Sequence, residues 1–70
     1  MKETDRDYFR SILKEVTSRI DGVTIEEEDY CSTVVTVKYR GEVTGQFNYD
    51  GYSLAYNLKQ LSKALEPATL

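Results

Sequence analysis

The chain has 70 residues, of which 40% are apolar and 30% charged, with a formal net charge of -3. That length holds one domain with a thin core, that apolar share excludes a disordered chain, and the acidic balance argues against a general binder of nucleic acid or membrane surface. Histidine is absent and Cys31 is the one cysteine, which removes the commonest metal ligand, the commonest general base and any internal disulfide framework.

The first twenty residues carry Phe9, Ile12, Leu13, Val16 and Ile20 at helical spacing, so one face of a helix is expected to be buried. Thr4 is the expected N-cap, with Asp7 three positions on. Glu15 and Arg19 form an i, i+4 pair on the outer side, and Gly22 is the expected stop.

Three strands are expected next. Val23 and Ile25 alternate with Thr24 and Glu26. A second strand runs from about Ser32 to Arg40, with Val35, Val37 and Tyr39 on one face and Val34, Thr36 and Lys38 on the other. The third turns Val43, Phe47 and Tyr49 inward and Thr44, Gln46 and Asn48 outward. Such alternation predicts a sheet with one buried and one wet face. Arg40-Gly41-Glu42 suits a short hairpin loop. Gly45 inside the third strand predicts a bulge or a close backbone approach.

A second helix follows, with Asp50 as its expected N-cap, Leu54, Leu58, Leu61 and Leu65 as its buried stripe, and Pro67 as its stop. The expected whole is a single α+β domain with an ordered core over about residues 4–66. Its order is α-β-β-β-α, in two layers, with a three-stranded antiparallel sheet and both helices on one face.

Two family resemblances attach to this plan. The stretch Thr33-Val34-Val35-Thr36-Val37-Lys38-Tyr39-Arg40-Gly41-Glu42-Val43-Thr44-Gly45 resembles the central hairpin of the double-stranded-RNA-binding domain, and Ala64-Leu65 resembles its helix end. That family opens its second helix with lysines that grip phosphates. Here the segment is Asp50-Gly51-Tyr52-Ser53-Leu54, so the resemblance implies the fold and not RNA binding. In size, acidity and element plan the chain also resembles small acidic phage proteins that inhibit CRISPR nucleases. That resemblance implies an inhibitor whose acidic surface occupies a site built for nucleic acid, acting in the host cytoplasm.

The unusual surface residues are Glu26-Glu27-Glu28-Asp29-Tyr30 and a tyrosine stripe on the second helix. The four carboxylates either form a solvated edge that resists aggregation or meet a basic partner. A strand puts Glu26 and Glu28 on one face and Glu27 on the other, so no metal cage results. Six tyrosines in a chain this short are many. Tyr52 and Tyr56 lie opposite the leucine stripe, where exposed rings suit an interface, the alternative being rings that lie flat on the helix or pack against the C-terminal tail. Cys31 has carboxylates rather than bases beside it, which disfavours a thiolate and suits a small filler residue.

No nucleophile–base pair, phosphate-cradling glycine loop or cofactor motif is present, so catalysis is not expected. No apolar run approaches the roughly 18 residues that span a bilayer. Met1-Lys2-Glu3-Thr4-Asp5 is unlike a secretory signal, and the expected location is cytoplasmic. The leading expectation is therefore a small acidic protein-binding module, an inhibitor or adaptor acting on a nucleic-acid-handling partner with a basic surface. Its expected contact residues are Glu26, Glu27, Glu28, Asp29, Tyr30, Asp50, Tyr52 and Tyr56, with no cofactor and no direct nucleic-acid contact. The alternatives are a structural homo-oligomer that uses the open sheet face and a diverged double-stranded-RNA-binding-like domain.

Overall fold

The computed structural model describes residues 2–29 and 33–69. Its elements are α1 (Glu3–Arg19), β1 (Val23–Asp29), β2 (Thr33–Tyr39), β3 (Glu42–Asn48), α2 (Leu54–Ala64) and a short α3 (Glu66–Thr69). The strands form one antiparallel sheet in the order β1-β2-β3. Phe9 and Leu13 of α1, Leu61 and Ala64 of α2, and Val23, Val35, Val37, Phe47 and Tyr49 of the sheet share one core, so both long helices cover the same face.

The helical spacing in α1 does what it predicts. Phe9 and Leu13 are buried, and Ile12, Val16 and Ile20 pack around them. The start lies earlier than expected. Lys2, not Thr4, holds the N-cap position, and it makes no side-chain cap bond. Glu3 and Asp5 in the first turn complement the helix dipole there, which offsets the missing cap. Arg19 and Glu15 form the expected pair.

β2 and β3 join through a two-residue turn in which Arg40 (φ 53°) and Gly41 (φ 86°) both take positive φ. That geometry matches the twist of the flanking strands. Two residues later the ladder slips. Val37 faces Gly45 but Lys38 faces Val43, which leaves Thr44 as an extra residue in a bulge. The bulge reverses the phase of the strand, so Val43 lies on the open face and is 59% exposed rather than inward. Thr44, expected on that face, turns its Oγ1 to donate to the Val37 carbonyl at 3.3 Å.

Gly45 has a second purpose. A Cβ placed on it would meet the Ala64 Cβ at 2.5 Å, so α2 rests directly on the β3 backbone. The close contact turns the line Asn57, Leu61 and Ala64 toward the sheet and leaves Leu54, Leu58 and Leu65 half-buried on its flanks. The expected all-leucine stripe is therefore corrected by about a residue of rotation. Ser53, not Asp50, caps α2, its Oγ accepting from the Tyr56 N–H at 3.1 Å. A turn at Asp50-Gly51 separates the expected cap from the helix. Pro67 does not end the helical path. It sits in the first turn of α3, where its missing N–H is harmless, and Ala68 packs against the core.

Leu61→Ala should lower stability by about 2–5 kcal/mol, and Leu58→Ala by clearly less, because Leu58 is only partly covered. Equal urea midpoints for the two variants would contradict this placement of the helix face. Gly45→Ala should cost about 1–3 kcal/mol by pushing α2 off the sheet, and adding Ala64→Gly should recover part of it. Urea melts of the single and double variants check the coupling.

Candidate functional site

The pairing register sorts the acidic run. Glu26 lies opposite Thr36 and Glu28 opposite Val34, both on the open face of the sheet. Glu27 lies opposite Val35, on the helix side. None of these carboxylates stands as a bare charge. Lys38 Nζ donates to Glu26 Oε1 at 3.2 Å across the open face. Arg10 Nε lies 3.6 Å from Glu27 Oε1. Asp29 Oδ1 accepts from Thr33 Oγ1 at 2.6 Å. Tyr30 lies outside the described residues, as do Cys31 and Ser32.

Asp50 turns out to be a tie rather than an open contact residue. Its carboxylate accepts from the Thr33 N–H at 2.7 Å and pairs with Arg6 of α1. Its own N–H donates to Asn48 Oδ1 at 3.0 Å. Thr33 thus bonds Asp29 with its hydroxyl and Asp50 with its backbone, so the end of the acidic run and the segment leading into α2 meet at one end of the domain.

Tyr52 and Tyr56 stand beyond that junction. Their rings stack on each other with centroids 4.5 Å apart and planes at 20°. They remain 49% and 41% exposed. The stacked rings lie outside the core.

A further feature, whose lining shares only Glu27 with the expected contact residues, lies between α1 and β1. Arg10, Leu13, Lys14 and Thr17 of α1 face Ile25 and Glu27 of β1 across an open cleft of about 360 Å³. At its mouth Arg10 Nε donates to the Tyr49 hydroxyl at 3.2 Å, and that hydroxyl points to Glu27 Oε1 at 3.5 Å. The bond from Tyr49 and the charge of Glu27 hold the Arg10 guanidinium above its ordinary pKa. The signal was present in the sequence: Arg6, Arg10, Lys14 and Thr17 repeat at i, i+4, i+8 and i+11, a polar stripe flanking the apolar face of α1.

Among the described residues no group of three His, Cys, Asp or Glu side chains could hold a metal ion, and no helix is long and apolar enough to cross a membrane. Comparison with models of known families, with curated proteins and with solved structures found no match.

The two halves of the expected contact set should separate on mutation. Asp50→Ala strips the Thr33 N–H and Arg6 of their acceptor. It should cost about 1–3 kcal/mol of stability. Tyr52→Ala, at an exposed site, should change stability by less than about 1 kcal/mol. Thermal or urea melts that reverse this order would show that the tyrosine pair, and not Asp50, carries structure.

Proposed function

We propose that the domain is a small acidic protein-binding module, an inhibitor or adaptor, and that its partner handles nucleic acid and presents a basic surface. The observation that carries this reading is the stacked, solvent-facing pair Tyr52–Tyr56. Large rings with few rotors that are already ordered lose little freedom on contact, which is why tyrosine is favoured in interface cores. Tyr52 follows Asp50 by two residues, and Asp50 meets the end of the acidic run through Thr33, which supports a reading in which one partner meets ring and carboxylate together. A basic partner is favoured by the net charge of -3 and by Glu26 and Glu28, which stand on the open face, Glu26 paired with Lys38. Opposite charge on the partner accelerates encounter and sets orientation.

The test uses the immobilised domain and a host lysate. A nucleic-acid-handling protein should be retained by the parent, weakened as salt rises, and lost with Tyr52→Ala plus Tyr56→Ala, each of which should cost about 2 kcal/mol or more of binding if the rings are anchors. Glu26→Lys with Glu28→Lys should slow association at low salt while leaving the melt near that of the parent. Retention that survives both double variants would overturn the reading. Tight binding of duplex RNA in a gel shift would overturn it in favour of the RNA-binding resemblance.

A further inference from the structure

The cleft between α1 and β1 lies along a sheet edge at which, among the described residues, β1 pairs with β2 alone. In an antiparallel ladder, hydrogen-bonded and non-hydrogen-bonded pairs alternate. The Arg40 N–H donates to the Gly22 carbonyl at 2.8 Å, which fixes the phase of that alternation. Counting along the register, Thr24, Glu26 and Glu28 bond to β2, while Ile25, Glu27 and Asp29 turn their backbone N–H and C=O groups to the open edge and the Val23 N–H is taken by the Ile20 carbonyl at 3.3 Å. Ile25 and Glu27 are also the two β1 residues that line the cleft. Unpaired main chain and a side-chain groove therefore occur at one place, which is the arrangement that admits an added strand.

We propose that β1 binds an extended segment of another protein by strand addition, and that the segment alternates basic residues with apolar ones. The alternation follows from the two sides of β1. On the open face the added strand would run beside Glu26 and Glu28, whose two-residue spacing matches the side-chain repeat of any strand, about 6.6–6.8 Å. Those positions take lysine or arginine. On the helix side the residues between them enter the cleft over Leu13 and Ile25, with the cations Arg10 and Lys14 on the helix wall. Those positions take apolar side chains and reject basic ones. A second copy of β1 is a poor occupant, since pairing it here would set Glu26–Asp29 of one chain beside a strand with the same charges. The acidic edge thus blocks self-association and leaves a cationic strand as the accepted partner. The site is distinct from the tyrosine pair and does not depend on it.

The probe is a blocked synthetic peptide with alternating lysine and valine, matched to the seven residues of β1. It should bind saturably, with the largest amide shifts and new exchange protection at Ile25 and Glu27. N-methylation of the peptide at the residues facing the edge should weaken binding by about tenfold or more, since main-chain hydrogen bonds are removed. A glutamate–valine peptide should not bind the parent, but should bind Glu26→Lys with Glu28→Lys, a variant changed only at exposed positions. No saturable binding, binding indifferent to N-methylation, or shifts centred on Tyr52 and Tyr56 would each overturn strand addition, the last while favouring the tyrosine surface. Dimerisation of the domain through β1 would overturn it in favour of a second copy.

Discussion

Tyr49 is the residue on which the rest of the structure depends. It is fully buried just past β3, where its ring packs 5.3 Å from that of Phe9, which in turn meets Phe47 edge-on at 6.1 Å. Its N–H donates to the Thr33 carbonyl, and its carbonyl accepts from Asn57 Nδ2 at 3.2 Å. Its hydroxyl lies between Arg10 and Glu27. One side chain and its peptide groups therefore touch α1, all three strands or their ends, and α2. Phenylalanine could fill the space and keep the peptide bonds, but it would lose the hydroxyl's contacts with Arg10 and Glu27. The outer strands lie about 9.5 Å apart across β2, and a ring carrying a terminal hydroxyl spans enough of that gap to reach Arg10 and Glu27, which give its buried polar end partners.

This arrangement has a cost that stays local. Asn57 is fully buried, and among the described residues its Oδ1 has no hydrogen-bond partner. Its Nδ2 is satisfied twice, by the carbonyls of Tyr49 and Ser53. An apolar residue there would leave the buried Tyr49 carbonyl without that donor, and a missing bond to a buried group costs about as much as the unpaired oxygen does. Asparagine also locks the first turn of α2 to the end of β3, which the short Asp50–Ser53 connection alone would not do. The second constraint on α2 is Gly45 against Ala64. With one tie at each end the helix has a single way to lie on the sheet.

Much of this was legible in the sequence, and the exceptions share a cause. Element order, sheet sense and the faces of α1, β1 and β2 follow from periodicities of 3.6 and 2 that run without interruption. The hairpin at Arg40-Gly41 follows from local turn chemistry. Val43 lies on the face opposite to the one that alternation predicts although Gly45 signals a bulge, because a bulge shifts the phase of every residue on one side of it, and the sequence does not say which residue is extra. The leucine stripe of α2 was displaced because the deciding contact pairs two residues nineteen positions apart whose importance lies in their smallness. Asp50 looked like a helix cap and a surface carboxylate, and its real partners, Arg6 and the Thr33 N–H, are long-range. The split of Glu26 and Glu28 from Glu27 was readable from alternation alone. The engagement of Glu27 by Arg10 and Tyr49 was not, since it needs the crossing of α1 over β1.

The polar ties are not spread evenly. Arg6, Asp29, Thr33, Asn48 and Asp50 form a connected set at the end of the sheet from which the segment to α2 departs. Ser53 and Asn57 then fix the first turn of the helix. Tyr52 and Tyr56 are thus held by a braced backbone on one side and by each other on the other. In a domain of 70 residues with a thin core, polar bonds of this kind add little net stability each. Their larger effect is to reduce the number of backbone conformations from which the two rings project. A rigid ring pair gives up little entropy when covered, so the same area of contact yields more free energy than it would on a loose loop. The bracing that completes this small fold also limits the directions in which its stacked, part-exposed ring pair can project.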